Sequence, residues 1–192
     1  MIALWYNFVM ELFRSHIELA HDFWKKILKP GDCAIDATCG NGHDSLFITQ
    51  LIGPDGELHC IDVQKSAIAN TKAKINFPID RLHFHLGSHE ILPPVSPKLI
   101  VYNLGYLPGG DKSLTTLTKT TLKSVQNALE IIQPGGLISI TCYPGHPEGK
   151  VEQEALLQYV SEISNINYTV STINCANRPF SPSLIFIEPK KS

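Results

Sequence analysis

The stretch DATCGNGHDS (36–45) sets an acid, Asp36, ahead of a Gly-x-Gly turn made by Gly40, Asn41 and Gly42. Glycines in such a turn let backbone N–H groups approach a ligand and tolerate positive φ. A second acid, Asp62, closes the next apolar run, about 20 residues further on, where a carboxylate can accept from both hydroxyls of a ribose. These types at this spacing point to a nucleoside-bearing cofactor. The dinucleotide fingerprint G-x-G-x-x-G/A fails at Ser45, which disfavours NAD. An acid followed by Gly-x-Gly suits S-adenosylmethionine (SAM), with Asp36 toward its amino-acid end, directly or through water.

Three further loops carry candidate chemistry. GSH (87–89) could cover an adenine with Ser88 and His89. NLGYLPGGDK (103–112) holds no nucleophile, yet crowds Asn103, Tyr106, a proline and three glycines into one turn. Methyl transfer explains that. The electrophile arrives on the cofactor, so the loop has only to hold an acceptor lone pair about 3 Å from the carbon and in line. Asn103 Oδ1 and the Leu104 carbonyl can orient a neutral nitrogen, Tyr106 can stack on a planar base, and Asp111 can cap the next helix or face the substrate. CYPGHPEG (142–149) brings Tyr143 and His146; the histidine could accept a proton from an alkylammonium or simply hydrogen-bond the substrate. The other histidines read as packed or exposed.

The elements that must position these loops alternate. Strands are expected at 33–38, 57–62, 81–86, 98–103, 137–143, 168–175 and 183–189, and helices over 15–28, 43–52, 65–75, 113–132 and 148–163. Ser15 and Glu18 form a capping-box start. Short apolar strands joined by crossover helices make a doubly wound, mostly parallel α/β sheet, with all candidate loops at its carboxyl edge. The last two strands lack a helix between them and should pair antiparallel. Residues 15–192 are read as a single domain, and the apolar 1–14 as an arm or helix packed on it rather than a signal peptide.

At 192 residues and 43% hydrophobic, the chain can bury a sizeable core, and a net charge of −2 argues against a broad basic surface. Its five cysteines (33, 39, 60, 142, 175) show no C-x-x-C spacing, so neither a disulfide framework nor a metal site is expected, and a cytoplasmic setting fits. No stretch is apolar enough to span a membrane. The sequence leaves a homodimer open.

The strings DATCGNGHDSLF, DVQKSAIANTK, NLGYLPGGDKS and GHPEGK together resemble the YtqB-like rRNA methylase family of class I SAM-dependent methyltransferases, over nearly the whole chain. The resemblance implies a Rossmann-like seven-stranded sheet in the order 3-2-1-4-5-7-6 with strand seven antiparallel. It implies SAM contacts at Asn41, Asp44, Asp62, Gln64, Ser88 and His89. It also implies an RNA substrate: bacterial members methylate the aminomethyl group of 5-aminomethyl-2-thiouridine at the tRNA wobble position. NLGY looks like a variant of the N-P-P-Y loop of amino-methyltransferases. Lys112, Lys119, Lys123, Lys150 and Arg178 are candidate phosphate contacts. Competing readings are an rRNA or small-amine methyltransferase, and an NAD-type or non-catalytic nucleotide-binding protein.

Overall fold

The computed structural model describes residues 15–107, 109, 115–178 and 180–190. The arm at 1–14, Asp111 and Lys112 lie outside these residues.

The chain runs α1 (His16–Ile27), β1 (Cys33–Asp36), α2 (His43–Ile52), β2 (Glu57–Asp62), α3 (Lys65–Lys74), β3 (Leu82–Leu86), β4 (Leu99–Asn103), α4 (Thr118–Ile131), β5 (Leu137–Cys142), α5 (Pro147–Ser161), β6 (Tyr168–Ile173) and β7 (Ser183–Pro189). The sheet order is β3-β2-β1-β4-β5-β7-β6. Strand β7 is antiparallel to both β5 and β6, and the other pairings are parallel. Order reverses between β1 and β4, the switch point where open α/β sheets bind ligands.

Strand alternation builds two cores. Ile35, Ile61, Tyr102 and Ile140 pack with Val125 and Ala128 of α4 and Leu156 of α5. Ala34, Leu58, Cys60 and Val101 pack with Trp24 of α1 and with Ile48 and Ile52 of α2. Sheet residues on both faces are buried, so the strands read as apolar runs rather than polar alternations. Each fully buried Leu or Ile contributes about 1.5–3 kcal/mol of transfer free energy, which pins the strand ends carrying the loops.

The capping box forms: Ser15 Oγ accepts from Glu18 N, and Ser15 N donates to Glu18 Oε2 at 2.9 Å. One boundary differs from the sequence reading. Helix α4 begins at Thr118, not 113. Thr115 is bridged to Tyr106, and Thr116 exchanges backbone and side-chain bonds with Gly105 (3.0 and 2.8 Å), so this segment is extended.

Candidate active site

The loop after β1 turns through Gly40 (φ 51°) and Gly42 (φ 74°) into α2. A Cβ at Gly42 would lie 2.8 Å from Thr71 Cα on α3, so only glycine fits. Asp62 Oδ2 accepts from Gly40 N (3.0 Å) and Oδ1 from Gln64 N (2.9 Å), tying the first loop to the end of β2. Burial raises Asp62 above the ordinary carboxylate value.

Asp36 corrects one expectation. It is wholly buried, accepts from Ser45 Oγ at 2.5 Å, and does not line the cleft. Burial pushes it up to about 7. Its carboxyl anchors the first turn of α2 from beneath and presents no surface to the cleft for direct contact. Gly42 also stays out of the cleft lining; it shapes the turn.

A cavity of about 970 Å³ opens along the carboxyl edge. Gly40, Asn41, Asp44, Asp62, Gln64, Ser88 and His89 line one part, and Asn103, Leu104, Tyr106, Tyr143 and His146 another. Residues from the loops after five separate strands thus meet in one cleft. Asn41 Oδ1 accepts from Asn70 Nδ2 at 3.0 Å. Ser88 Oγ accepts from Glu90 N at 3.2 Å. His89 is buried, and burial drops its ring to about 4, so it is neutral.

Asn103 sits at the end of β4. Its N–H donates to Thr38 Oγ1 (2.7 Å) and its Nδ2 donates to Asp44 Oδ2 (2.8 Å). A carboxylate can only accept, so the amide nitrogen must face Asp44, and Oδ1 is the group left for the cleft. The other Asp44 oxygen lies 2.7 Å from His21 Nε2. His21 in turn stacks on Phe47 at 3.8 Å. Leu104 N donates to Thr141 O at 2.9 Å, holding the following residue buried against β5.

The opposite wall is built on α5. His146 is its N-cap, and Nδ1 accepts from Gly149 N at 3.1 Å. That bond occupies Nδ1; Nε2 is buried and has no hydrogen-bond partner among the described residues. The His146 ring forms part of the cleft wall beside Tyr106. The Tyr106 ring stands 5.5 Å from that of His146. Tyr143 OH is 3.1 Å from His16 Nε2, and burial first, then Asp44, push its phenol up to about 12.

Beneath this wall, Glu152 accepts from Thr116 Oγ1 (2.7 Å) and Thr121 Oγ1 (2.6 Å), while His89 Nε2 is 3.3 Å from Thr121 Oγ1. Thr121 gives its one proton to Glu152, so His89 Nε2–H donates to Thr121. The network couples the 87–89 loop to the Gly105 loop. Sequence reading missed Glu152, His16, His21 and Phe180, which lines the cleft and is 69% exposed. No local motif marks them; they come into the site only through packing of α1, α5 and the β6–β7 loop.

Gly40 brings backbone to the cleft, a positioned carboxylate stands at the end of β2, and the volume is ample, so the residues fit SAM. With the fold, these features define a class I SAM-dependent methyltransferase. Residues 58–188 match the model of the family described as "Putative rRNA methylase", and the chain belongs to that family. It is 35% identical over 187 residues to the "tRNA (mnm(5)s(2)U34)-methyltransferase, chloroplastic" of Arabidopsis thaliana, covering 88% of this chain and 68% of that protein. A "putative rRNA-methylase" from Clostridium thermocellum superposes with a TM-score of 0.88 at 33% identity, over 92% of this chain and 98% of that one. A "putative methyltransferase" from Streptococcus mutans, solved in complex with S-adenosylhomocysteine (SAH), superposes at 0.82 and 30% identity, over 92% and 99%. The NAD-type reading is thereby set aside. No helix among the described residues is long and apolar enough to cross a membrane.

Proposed function

We propose that this chain methylates the aminomethyl nitrogen of 5-aminomethyl-2-thiouridine at the wobble position of tRNA. The observation that carries the reading is the Asn103–Asp44 bond of 2.8 Å, which leaves an oriented acceptor, Asn103 Oδ1, in the cleft. The name of the Arabidopsis relative supports the same acceptor group.

Gly40, Asn41, Asp62, Gln64, Ser88 and His89 would hold SAM, which when bound supplies a methyl group made electrophilic by its positive sulfur. The chain's own part is positioning. Asn103 Oδ1 takes an N–H of the substrate amine and so aims its lone pair; the Leu104 carbonyl is the second candidate acceptor. Nitrogen gains the methyl, SAH leaves, and one amine proton passes to solvent. Tyr106 and Phe180 offer faces for a flipped base, with the His146 ring beside Tyr106 as part of the same wall. Exposed Lys119, Lys123 and Arg178, with Lys150 beside Glu154 at 3.9 Å, are the described candidates for phosphate.

The test incubates the protein and SAM with tRNA from cells lacking the enzyme, followed by nucleoside mass spectrometry. Conversion of the aminomethyl to the methylaminomethyl nucleoside is expected. Inert tRNA beside methylated ribosomal RNA or small amines would overturn the reading.

A further inference from the structure

At the opposite end of the strands from the cleft lies a second cluster of chemistry-bearing side chains. Cys33 opens β1 in register with Glu57 of β2; two residues on, His59 pairs with His83 of β3, and Ile61 with His85. Side chains in register on parallel strands share a face, as do residues two apart. Cys33, Glu57, His59, His83 and His85 are therefore presented together, although no two of them make a ligand motif in the sequence. The sulfur of Cys33, a carboxylate oxygen of Glu57 and a ring nitrogen of His59 all lie within 4.8 Å of one another. Glu57 Oε1 is 3.0 Å from His59 Nε2 and also 3.0 Å from His83 Nε2. His59 Nδ1 is 3.0 Å from His85 Nε2.

The fold explains why the cluster is reachable. The parallel crossovers β1–β2, β2–β3 and β4–β5 each carry a helix, but the Pro-rich β3–β4 connection (87–98) carries none. Among the described residues, no helix thus covers β2 and β3 over this stretch of the face that α4 and α5 shield further along the sheet. The side chains of His83 and Glu57 are 38% and 34% exposed, whereas His59 is only 7% exposed. One ligand is buried and rigid, and the others open to solvent, which provides an entry path.

We propose that Cys33, Glu57 and His59, with His83 as a fourth ligand, bind a divalent transition-metal ion of borderline softness, Zn2+ foremost. The donor set decides the class. One sulfur, two imidazoles and a single carboxylate suit Zn2+, Co2+ or Ni2+, and do not suit Ca2+ or Mg2+, which want oxygen. Ligand bonds of about 2.0–2.3 Å around a tetrahedral ion put donor atoms roughly 3.3–3.8 Å apart, within the 4.8 Å that spans the Cys33, Glu57 and His59 donors, and His83 adjoins that set through its 3.0 Å approach to Glu57. His85 takes the outer position, holding the far nitrogen of His59 and fixing its ring plane. The ion would clip β1, β2 and the edge strand β3 together where a helix is missing. None of these residues lines the cleft, which lies about 10 Å further along each strand.

The experiment strips the full-length protein with chelator and titrates it with Zn2+ by calorimetry, using Co2+ as an optical probe. Saturable equimolar Zn2+ binding is expected, with a near-ultraviolet thiolate-to-cobalt band and a higher unfolding temperature in Zn2+. Cys33→Ser should abolish the band, and Glu57→Gln and His83→Ala should each weaken Zn2+ by about tenfold or more. Cys175→Ser, at the exposed cysteine, should change neither. Glu57 and His83 are partly exposed, so their variants keep the test alive if Cys33→Ser misfolds. Absence of saturable binding overturns the proposal, as does wild-type affinity in both the Glu57 and His83 variants, or a cobalt band that survives in folded Cys33→Ser.

Discussion

Asp44 Oδ2 accepts from Asn103 Nδ2 at 2.8 Å, and that one bond settles which end of the asparagine amide faces the cleft. The residues come from the first turn of α2 and the end of β4, and only the β1–β4 pairing makes them neighbours. His21, 2.7 Å from the other Asp44 oxygen, holds the carboxylate from the far side.

Replacing Asn103 with Ala should lower methyl transfer by about 10²-fold or more, because the acceptor that aims the amine is lost. SAM affinity, read by calorimetry, should stay within a few-fold. His21→Ala should cost less, since Asp44 remains and only its second support goes. Unchanged turnover in Asn103→Ala would remove the residue from the chemistry.

Tyr106→Ala should raise the KM for RNA by roughly tenfold, the value of one lost base stack, while leaving SAM binding alone. Its ring is 38% exposed and faces the cleft rather than the core. Steady-state kinetics with tRNA, beside SAM calorimetry, separates the two effects.

Gly42→Ala should destabilise the fold by about 1–3 kcal/mol and weaken SAM binding with it. Its φ of 74° is left-handed, and the added Cβ would meet the α3 backbone at Thr71. Urea unfolding gives the first quantity and calorimetry the second. Gly109 is also left-handed, but a Cβ there would meet nothing within 4 Å among the described residues, so Gly109→Ala should show only the backbone penalty.

The buried Asp36 should leave a signature in pH. Burial raises its folded value to about 7 from an ordinary 3.8. Between those values the folded chain keeps a proton that the unfolded chain has lost. Stability contributed by this group is therefore complete below about pH 4 and falls as pH rises toward 7, by up to about 1.4 kcal/mol per pH unit. In Asp36→Asn the slope should be absent. Subtracting the variant's urea-unfolding free energies from the wild type's isolates it, and cancels the opposite slope from His89, held at about 4. A difference that is flat with pH would show Asp36 to be ionised in the folded protein.

Much of this architecture is local information. Apolar runs separated by glycine and proline turns mark the strands, and the Ser15–Glu18 capping box marks α1, because those signals act within a few residues. The glycine turn, Asp62 and the loop at 103–106 were likewise legible, since backbone conformation and strand-end position depend on near neighbours. The start of α4 was not, because Thr115 and Thr116 take their partners from Tyr106, Gly105 and Glu152. Asp36 read as facing the cofactor directly or through water, and it lies wholly buried; sequence shows an acid at a strand end but not the depth of the loop above it. His146 read as a proton acceptor or a hydrogen-bonding group, and what the sequence did not show is that the Gly149 N–H holds its Nδ1. The sequence alone determined the order of elements, the glycine turn after the first strand and the constrained loop after the fourth. Only the tertiary structure decided which side chains face the cleft, which carry the proton, and that Cys33, Glu57 and His59 meet, because burial and contacts across strands are set by packing between residues far apart in the chain.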